Sequence, residues 1–208
     1  TRRASANQQT EYSNTRLLSG FNTGVAPKVV EEFNQIYHLE DSTVVIPIAM
    51  DVERIKMLAM NKSFVSLNPM KLQIAVIGRM HPVKGYERMI KVIQLLRQDG
   101  LMDDVEIHVF GDGPLRETIK NQIAKAKLET VVYLEGQVDN PYAELKNFDY
   151  LLLPSYSEAF GTVISEAFIL GIPVLSTKTS ASDLSIRHGG NGWVCENEEL
   201  ALYQEWKH

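Results

Sequence analysis

Short apolar runs alternate with segments of helical period from residue 72 onward, and this alternation constrains the fold more than any other feature. The runs are rich in Val, Ile and Leu: Leu72–Gly78, Val105–Gly111, Val131–Gly136, Tyr150–Pro154 and Pro173–Ser176. The segments between them have the apolar spacing of helices: Tyr86–Gln98, Pro114–Lys127, Pro141–Phe148 and Gly161–Leu170. Strands that alternate with helices predict a parallel sheet with helices on both faces, and continuously apolar strands favour the same arrangement. The sequence therefore predicts an α/β fold.

The first seventy residues have a different pattern. Val25–Leu39 has the spacing of an amphipathic helix, and Thr43–Asp51 is typical of a strand that runs into a loop. Residues 1–24 are predicted to be a linker or a frayed N-terminal segment, and residues 25–208 to form one domain.

The composition indicates a folded protein that does not bind nucleic acid. Hydrophobic residues make up 44% of the 208 residues and charged residues 23%, which suits a packed core. The net charge of −5 and the lack of a continuous basic face argue against a nucleic-acid partner. Cys195 is the single cysteine, which fits a reducing cytosol, and we predict a buried thiol.

The loops that follow the strands are the candidate ligand sites, because ligands bind at the carboxyl ends of the strands in an open parallel sheet. Four such loops read RMHPVKG, GDGP, QVDNP and PSYSEAFGT. They bring Arg79, Lys84, several glycines and one helix N-terminus to the same edge. A helix N-terminus offers free amides and a partial positive charge, and Gly161 lets an anion approach the backbone. The combination predicts a phosphate site.

Two carboxylates, Glu158 and Glu166, flank Gly161. A carboxylate repels a diphosphate, so we interpret both as groups that bind sugar or ribose hydroxyls. Structural interpretations stay open at this point: Arg79 and Lys84 also suit surface charges, and the two glutamates also suit acids that complement a helix N-terminus.

Five segments occur in the order found in retaining glycosyltransferases of family 4: GRMHPVKGYERMIKVI, HVFGDGPLRETI, VVYLEGQVDNPYAEL, LLLPSYSEAFGTVISEAFILGIPVLST and GGNGWV. Over about residues 25–196 the chain resembles the C-terminal, donor-binding half of the two-domain GT-B architecture, a Rossmann-like parallel sheet. The Glu158-to-Glu166 motif is the most specific element of this resemblance, and Arg79 followed by Lys84-Gly85 is the second.

The resemblance implies a role for each matching residue. Arg79 and Lys84 would bind the diphosphate and stabilise it as it leaves, and Glu158 would contact hydroxyls of the donor sugar; these three are the candidate catalytic residues. Glu166 would bind the ribose. The backbone from Phe160 to Val163 would hold the phosphates or the donor sugar, and Gln137 and Val138 would border the base. With Gly78 added, the candidate donor-binding residues are Gly78, Val138, Phe160, Gly161, Thr162, Val163 and Glu166.

The same resemblance implies metal-independent transfer of a sugar from a nucleotide diphosphate sugar, without a cofactor. A UDP-sugar is favoured over a GDP-sugar, because the NPY segment at Asn140–Tyr142 resembles enzymes that build bacterial surface polysaccharides. The acceptor, a glycan or a lipid-linked sugar, would be bound by an N-terminal half that this chain lacks, so the isolated domain is expected to be inactive. The expected location is the cytoplasm, at the inner face of the membrane if the missing half associates with it.

The chain departs from the family pattern at Ala159, where glycine is usual, and at Thr179–Leu184, which replaces a Gly-Gly-x-x-Glu stretch. Two alternatives share the fold or the ligand: a nucleotide-sugar epimerase, which the spacing of the two glutamates opposes, and a non-catalytic nucleotide-sugar-binding module. A dehydrogenase would need G-x-G-x-x-G after the first strand, whereas GDGPLR at Gly111–Arg116 ends in Arg.

Overall fold

The computed structural model describes residues 22–24, 27–37 and 43–207. The chain divides into two compact units between Ala49 and Met50. The N-terminal unit contains two parallel strands and one helix: β1 (Asn22–Gly24), α1 (Pro27–Tyr37) and β2 (Thr43–Val45). The predicted helix and strand of this region are therefore confirmed in their described parts. Most of the predicted linker lies outside the described residues, so the linker stays a prediction.

The unit from Met50 to His208 contains six strands: β3 (Leu72–Ile77), β4 (Val105–Phe110), β5 (Val132–Gly136), β6 (Tyr150–Leu153), β7 (Val174–Thr177) and β8 (Gly192–Cys195). Its described helices are α2 (Val52–Ala59), a 3-10 turn (Pro82–Lys84), α3 (Tyr86–Gln98), α4 (Arg116–Lys125), α5 (Pro141–Leu145), α6 (Thr162–Ile169), α7 (Ser180–Ser185) and α8 (Glu199–Lys207).

The six strands form one sheet in the order β5-β4-β3-β6-β7-β8, and every pair is parallel. This confirms the predicted α/β fold with a parallel sheet. The order reverses between β3 and β6, which lie next to each other although two strands separate them along the chain. In open sheets of this kind, ligands bind at the carboxyl ends of the strands, beside the point where the strand order reverses.

Helices cover both faces of the sheet, so neighbouring residues of one strand enter different cores. Ile74 and Val76 pack with α3, α4 and α8, whereas Ala75 between them packs on the face covered by α5, α6 and α7. Burial on both faces explains why the central strands are apolar at nearly every position. Cys195 is buried as predicted, and burial raises the pKa of its thiol to about 11.

Three helices were not predicted, and several predicted boundaries were wrong. The eight-residue α2 buries only Ile55 and Ala59, and the nine-residue α8 buries only Leu202, so neither segment has a long apolar pattern. The six-residue α7 depends on a capping box between Thr179 and Ser182 rather than on an apolar face. The helices predicted at residues 114–127 and 141–148 are shorter, because their first or last residues form turns.

Candidate functional site

The loops that follow β3 and β6 meet at the reversal of strand order. Gly85 adopts a left-handed conformation with φ of 71°, and a Cβ atom there would lie 1.9 Å from the carbonyl oxygen of Pro154. The amide of Tyr156 donates to the carbonyl of Val83 at 2.8 Å. The glycine of the Lys84-Gly85 motif is therefore required for the two loops to approach each other.

Lys84 and Glu158 form an ion pair across these two loops, between Nζ and Oε1. The side chains are 25% and 12% exposed. The Ser155 hydroxyl donates to the same Glu158 oxygen at 3.2 Å, and the Glu158 carbonyl accepts from the amide of Ala181 at 3.1 Å. Two of the three predicted catalytic residues are thus in direct contact, and Glu158 is held by groups from three segments.

Arg79, the third predicted catalytic residue, follows the end of β3 and is exposed, with no partner within the described ranges. Gly78 before it is held in place, because its carbonyl accepts from the Tyr86 hydroxyl at 2.7 Å. Burial, and secondly the charge of Glu158, raise the pKa of Tyr86, so this hydroxyl stays a donor. A Cβ atom at Gly111, where φ is 137°, would lie 2.1 Å from the Gly78 oxygen, so the GDGP loop packs on the end of β3.

The N-terminus of α6 presents uncapped amides. Gly161 before it has φ of 63°, and a Cβ atom there would lie 2.9 Å from Ala181 Cβ. Gly161 supplies no side-chain cap, and the amides of Thr162 and Val163 have no acceptor in the part of the chain that the structure describes. Uncapped amides with the partial positive charge of a helix N-terminus suit an anion. Phe160 precedes this turn and is partly buried.

Glu166 lies in the second turn of α6 and pairs with Tyr142, which the sequence indicated only as part of the NPY segment and not as a site residue. The Tyr142 hydroxyl in α5 donates to Glu166 Oε1 at 3.2 Å. Burial raises the pKa of Glu166, and the bond from Tyr142 opposes this shift. Burial also raises the pKa of Tyr142, as does the charge of Glu166. The two glutamates of the motif therefore have different partners, Lys84 for one and Tyr142 for the other.

The connection after β5 carries Gln137, which is exposed, and Val138, which packs partly buried against the α6 face of the core. Arg116 lies beside the end of β5: its Nη1 is 3.6 Å from where a Cβ atom of Gly136 would stand. The two residues predicted to border a base therefore follow a strand end that has a guanidinium next to it.

Arg88 and Asn197 support the loop after β6, and sequence reasoning missed both. Arg88 in α3 is buried; its Nη1 donates to Asn197 Oδ1 at 2.7 Å, and its guanidinium lies 3.9 Å from the ring centroid of Tyr156. Asn197 Nδ2 donates to the Tyr156 carbonyl at 3.0 Å. A charged residue at a buried position of an otherwise apolar helix face was the available signal for Arg88. Asn197 gave none, because its partners are distant in sequence.

Among the described residues, no group of three His, Cys, Asp or Glu side chains is placed to hold a metal ion. Within the same residues no helix is both long and apolar enough to cross a membrane.

The parallel sheet with its reversed strand order defines a Rossmann-like α/β protein, and Arg79, Lys84 and the uncapped N-terminus of α6 are candidate anion-binding groups at its carboxyl edge. A model of the family described as Glycosyl transferases group 1 matches residues 60–204. The chain belongs to this family, which confirms the resemblance seen in the sequence motifs.

Curated relatives are longer than this chain. The chain is 31% identical over 121 residues to the 2-deoxystreptamine N-acetyl-D-glucosaminyltransferase of Niallia circulans. The matched region covers 57% of this chain and 31% of that enzyme. It is 28% identical over 131 residues to the poly(glycerol-phosphate) alpha-glucosyltransferase of Bacillus subtilis, with coverage of 62% and 19%. The chain thus spans about a third or less of the length of these relatives.

Solved structures share the fold. A glycosyltransferase from Rickettsia africae superposes with a TM-score of 0.78 at 19% identity, over 100% of this chain and 57% of that one. The HepE protein of Anabaena, solved with UDP and glucose, gives a TM-score of 0.76 at 20% identity, over 97% and 57%. At these identities the likeness shows the fold, which is that of GT-B glycosyltransferases.

Proposed function

We propose that this chain is the donor-binding domain of a retaining glycosyltransferase, and that it binds a nucleotide diphosphate sugar without a metal ion. One observation carries the proposal: Arg79, Lys84 and the uncapped N-terminus of α6 belong to the two loops that contact each other at the reversal of strand order. This is the position at which open α/β sheets bind their ligands.

Charge neutralisation is the chemical task that these groups suit. A sugar leaves a nucleotide diphosphate with two phosphates whose negative charge must be stabilised as the bond breaks. Arg79 offers a guanidinium that no described residue engages, the α6 amides offer uncapped donors, and Lys84 offers an ammonium. In the proposal these groups take the place that a metal ion has in other transferases.

Glu158 is proposed to bind hydroxyls of the donor sugar. Lys84 has three N–H donors, and its contact with Glu158 uses one, so the same ammonium can hold a phosphate oxygen beside the carboxylate. The bond from the Ser155 hydroxyl orients the Glu158 carboxylate, and the bond from the Ala181 amide holds the Glu158 main-chain carbonyl. The ion pair therefore places a hydroxyl acceptor directly next to a diphosphate-binding cation.

The nucleoside is proposed to lie along α6 and the connection after β5. Glu166 would bind the ribose, Gln137 and Val138 would border the base, and the backbone from Phe160 to Val163 would contact the phosphates or the sugar. Gly78, whose carbonyl accepts a hydrogen bond from Tyr86, would border the donor on the side of β3, across from α6. A UDP-sugar is proposed over a GDP-sugar; the NPY segment and the presence of UDP in the HepE structure support it.

Transfer itself is proposed for the longer enzyme to which such a domain belongs. The relatives include enzymes named for transfer to poly(glycerol-phosphate) and to 2-deoxystreptamine. We propose a glycan or a lipid-linked acceptor in surface polysaccharide synthesis, bound outside these residues, with the reaction on the cytoplasmic side of the membrane.

Calorimetry with UDP, GDP and uridine, with and without EDTA, tests the donor site. We expect UDP to bind more tightly than uridine, and EDTA to have no effect. Arg79→Ala should remove a charge-assisted contact of about 1.5–3 kcal/mol, so UDP should bind roughly tenfold more weakly or worse, while uridine binding stays unchanged. Arg187→Ala, at another exposed arginine, is the matched control and should leave both affinities unchanged.

Three results would contradict the proposal. They are failure of both nucleotides to bind, loss of binding on addition of EDTA, and equal weakening of UDP and uridine by Arg79→Ala. The last result would assign Arg79 a structural role.

A further inference from the structure

The Glu166 carboxylate is held by a residue from a different crossover of the sheet. Tyr142 belongs to α5, between β5 and β6, whereas Glu166 belongs to α6, between β6 and β7. The 3.2 Å bond from the Tyr142 hydroxyl engages Oε1. The other oxygen, Oε2, has no hydrogen-bond partner among residues 22–24, 27–37 and 43–207. One oxygen is thus fixed by the protein, and the other is left for a ligand hydroxyl.

The surroundings make this single bond important. The helix α2 packs against both α5 and α6, and burial raises the pKa of Glu166. A partly buried carboxylate without a donor is costly, and glutamate has several rotamers to lose on ordering. The Tyr142 hydroxyl therefore both stabilises the ionised form of Glu166 and selects one orientation. Arg54 in α2 is the other charged group that acts on Tyr142.

Chain connectivity gives the bond a second consequence. Tyr142 follows Val138 by four residues in the same connection between β5 and β6. In the proposed function this connection borders the base, and Glu166 binds the ribose. The hydrogen bond therefore joins the segment proposed to border the base to the helix proposed to bind the ribose. The base and the ribose of one nucleoside would then contact two elements that are linked directly to each other.

We propose that Tyr142 is the positioning residue for Glu166, and that it sets the preference of the site for ribonucleotides over 2′-deoxyribonucleotides. This inference rests on the proposed function, because it assumes that Glu166 accepts from ribose hydroxyls. With Oε1 engaged by Tyr142, Oε2 is held in one place and accepts from the ribose. Without the phenol hydroxyl the carboxylate can rotate, and part of the ribose contact is lost while the phosphate contacts remain.

The test compares the affinities of UDP and 2′-deoxy-UDP for the wild-type chain and for Tyr142→Phe, by calorimetry. Phe keeps the ring and removes the hydroxyl. We expect the variant to bind UDP about fivefold more weakly, the value of one net hydrogen bond, and to bind 2′-deoxy-UDP almost as the wild type does. The ratio of the two affinities should therefore fall about fivefold.

Two further variants separate positioning from general structural damage. Tyr133→Phe removes a hydroxyl in β5 that bonds the Thr130 carbonyl at 3.0 Å, and it should leave the ratio unchanged. Glu166→Gln should lower the ratio by itself, and adding Tyr142→Phe to it should lower the ratio no further, because the two residues act as one unit.

Each outcome decides between the inference and the proposed function. If the wild type binds UDP with a 2′-hydroxyl preference and Tyr142→Phe keeps that preference, the inference alone is overturned. Equal weakening of both nucleotides by Tyr142→Phe also overturns it, because a structural defect would act on both. A wild-type chain that binds neither UDP nor GDP overturns the proposed function, and the inference falls with it.

Discussion

Glu166 illustrates at the scale of one residue how a binding group can lower stability. Burial raises its pKa, so the native state binds the proton more tightly than the unfolded chain does. The free energy of unfolding therefore falls as the pH rises from the ordinary carboxyl pKa through the raised native pKa, and above that window the full cost of the buried charge is present.

Replacing this carboxylate with an amide should remove the free-energy cost of burying its charge. Glu166→Gln keeps the shape of the side chain and an acceptor for Tyr142 but cannot ionise. We expect a higher melting temperature than the wild type at about pH 8, and a difference that shrinks towards about pH 4, where the wild-type carboxyl is also neutral. Thermal unfolding across this pH range measures it.

Glu117→Gln, at an exposed position of α4, controls for the loss of one negative charge. A melting temperature of Glu166→Gln that stays below the wild type at pH 8 would mean that the ionised carboxylate stabilises the fold. Glu166→Gln would then lower both the stability of the fold and the affinity for ribonucleotides.

At the scale of elements, the site depends on how closely the loops of adjacent strands approach. Gly85 and Gly111 both have positive φ angles, of 71° and 137°. A Cβ atom at either position would clash with a carbonyl oxygen of the neighbouring loop. Both contacts involve the segment between β3 and α3. The position of Arg79 and Lys84 is thus set by backbone packing between loops as well as by the ion pair.

Gly85→Ala should be strongly destabilising for this reason. The left-handed conformation costs alanine about 1–2 kcal/mol, and the clash with the Pro154 oxygen adds an overpacking cost of about 1–3 kcal/mol. Gly100→Ala is the matched control, because Gly100 has a similar φ of 75° but no atom within 4 Å of the Cβ position. Urea denaturation should show the larger loss for Gly85→Ala. Equal losses would mean that the contact between the two loops adjusts freely.

At the scale of the whole molecule, the residues assigned to the site lie in one of the two units. Both hydrophobic cores are built from residues of the unit between Met50 and His208, and so is every candidate site residue. Stability and ligand binding are therefore expected to be properties of that unit.

A chain that begins at Met50 should fold and bind UDP with the affinity of the 208-residue chain. A second chain, beginning at Val25, tests the domain boundary predicted from the sequence. Circular dichroism, thermal unfolding and calorimetry of the three chains measure the outcome. If the chain from Met50 unfolds while the chain from Val25 keeps both properties, residues 25–49 belong to the domain, as the sequence predicted.

The sequence by itself determined the class of fold and the segments that carry the site. The central strands are buried on both faces, so each stands out as an apolar run, as at Ile74–Val76. The Gly161 turn and the start of α6 are local features, and local features are encoded by neighbouring residues. Among the helices that were missed, α2 is only eight residues long and buries just Ile55 and Ala59, and the six-residue α7 depends on its side-chain cap.

The tertiary structure alone decided which side chains meet. Lys84 and Glu158 are 74 residues apart, Tyr142 and Glu166 are 24 apart, and Arg88 and Asn197 are 109 apart. Alternation of strands and helices predicts that the loops share an edge, but it leaves open that β3 lies beside β6. Strand order depends on the packing of all the crossovers together, so the pairs that orient the two glutamates could be recognised only once the sheet was assembled.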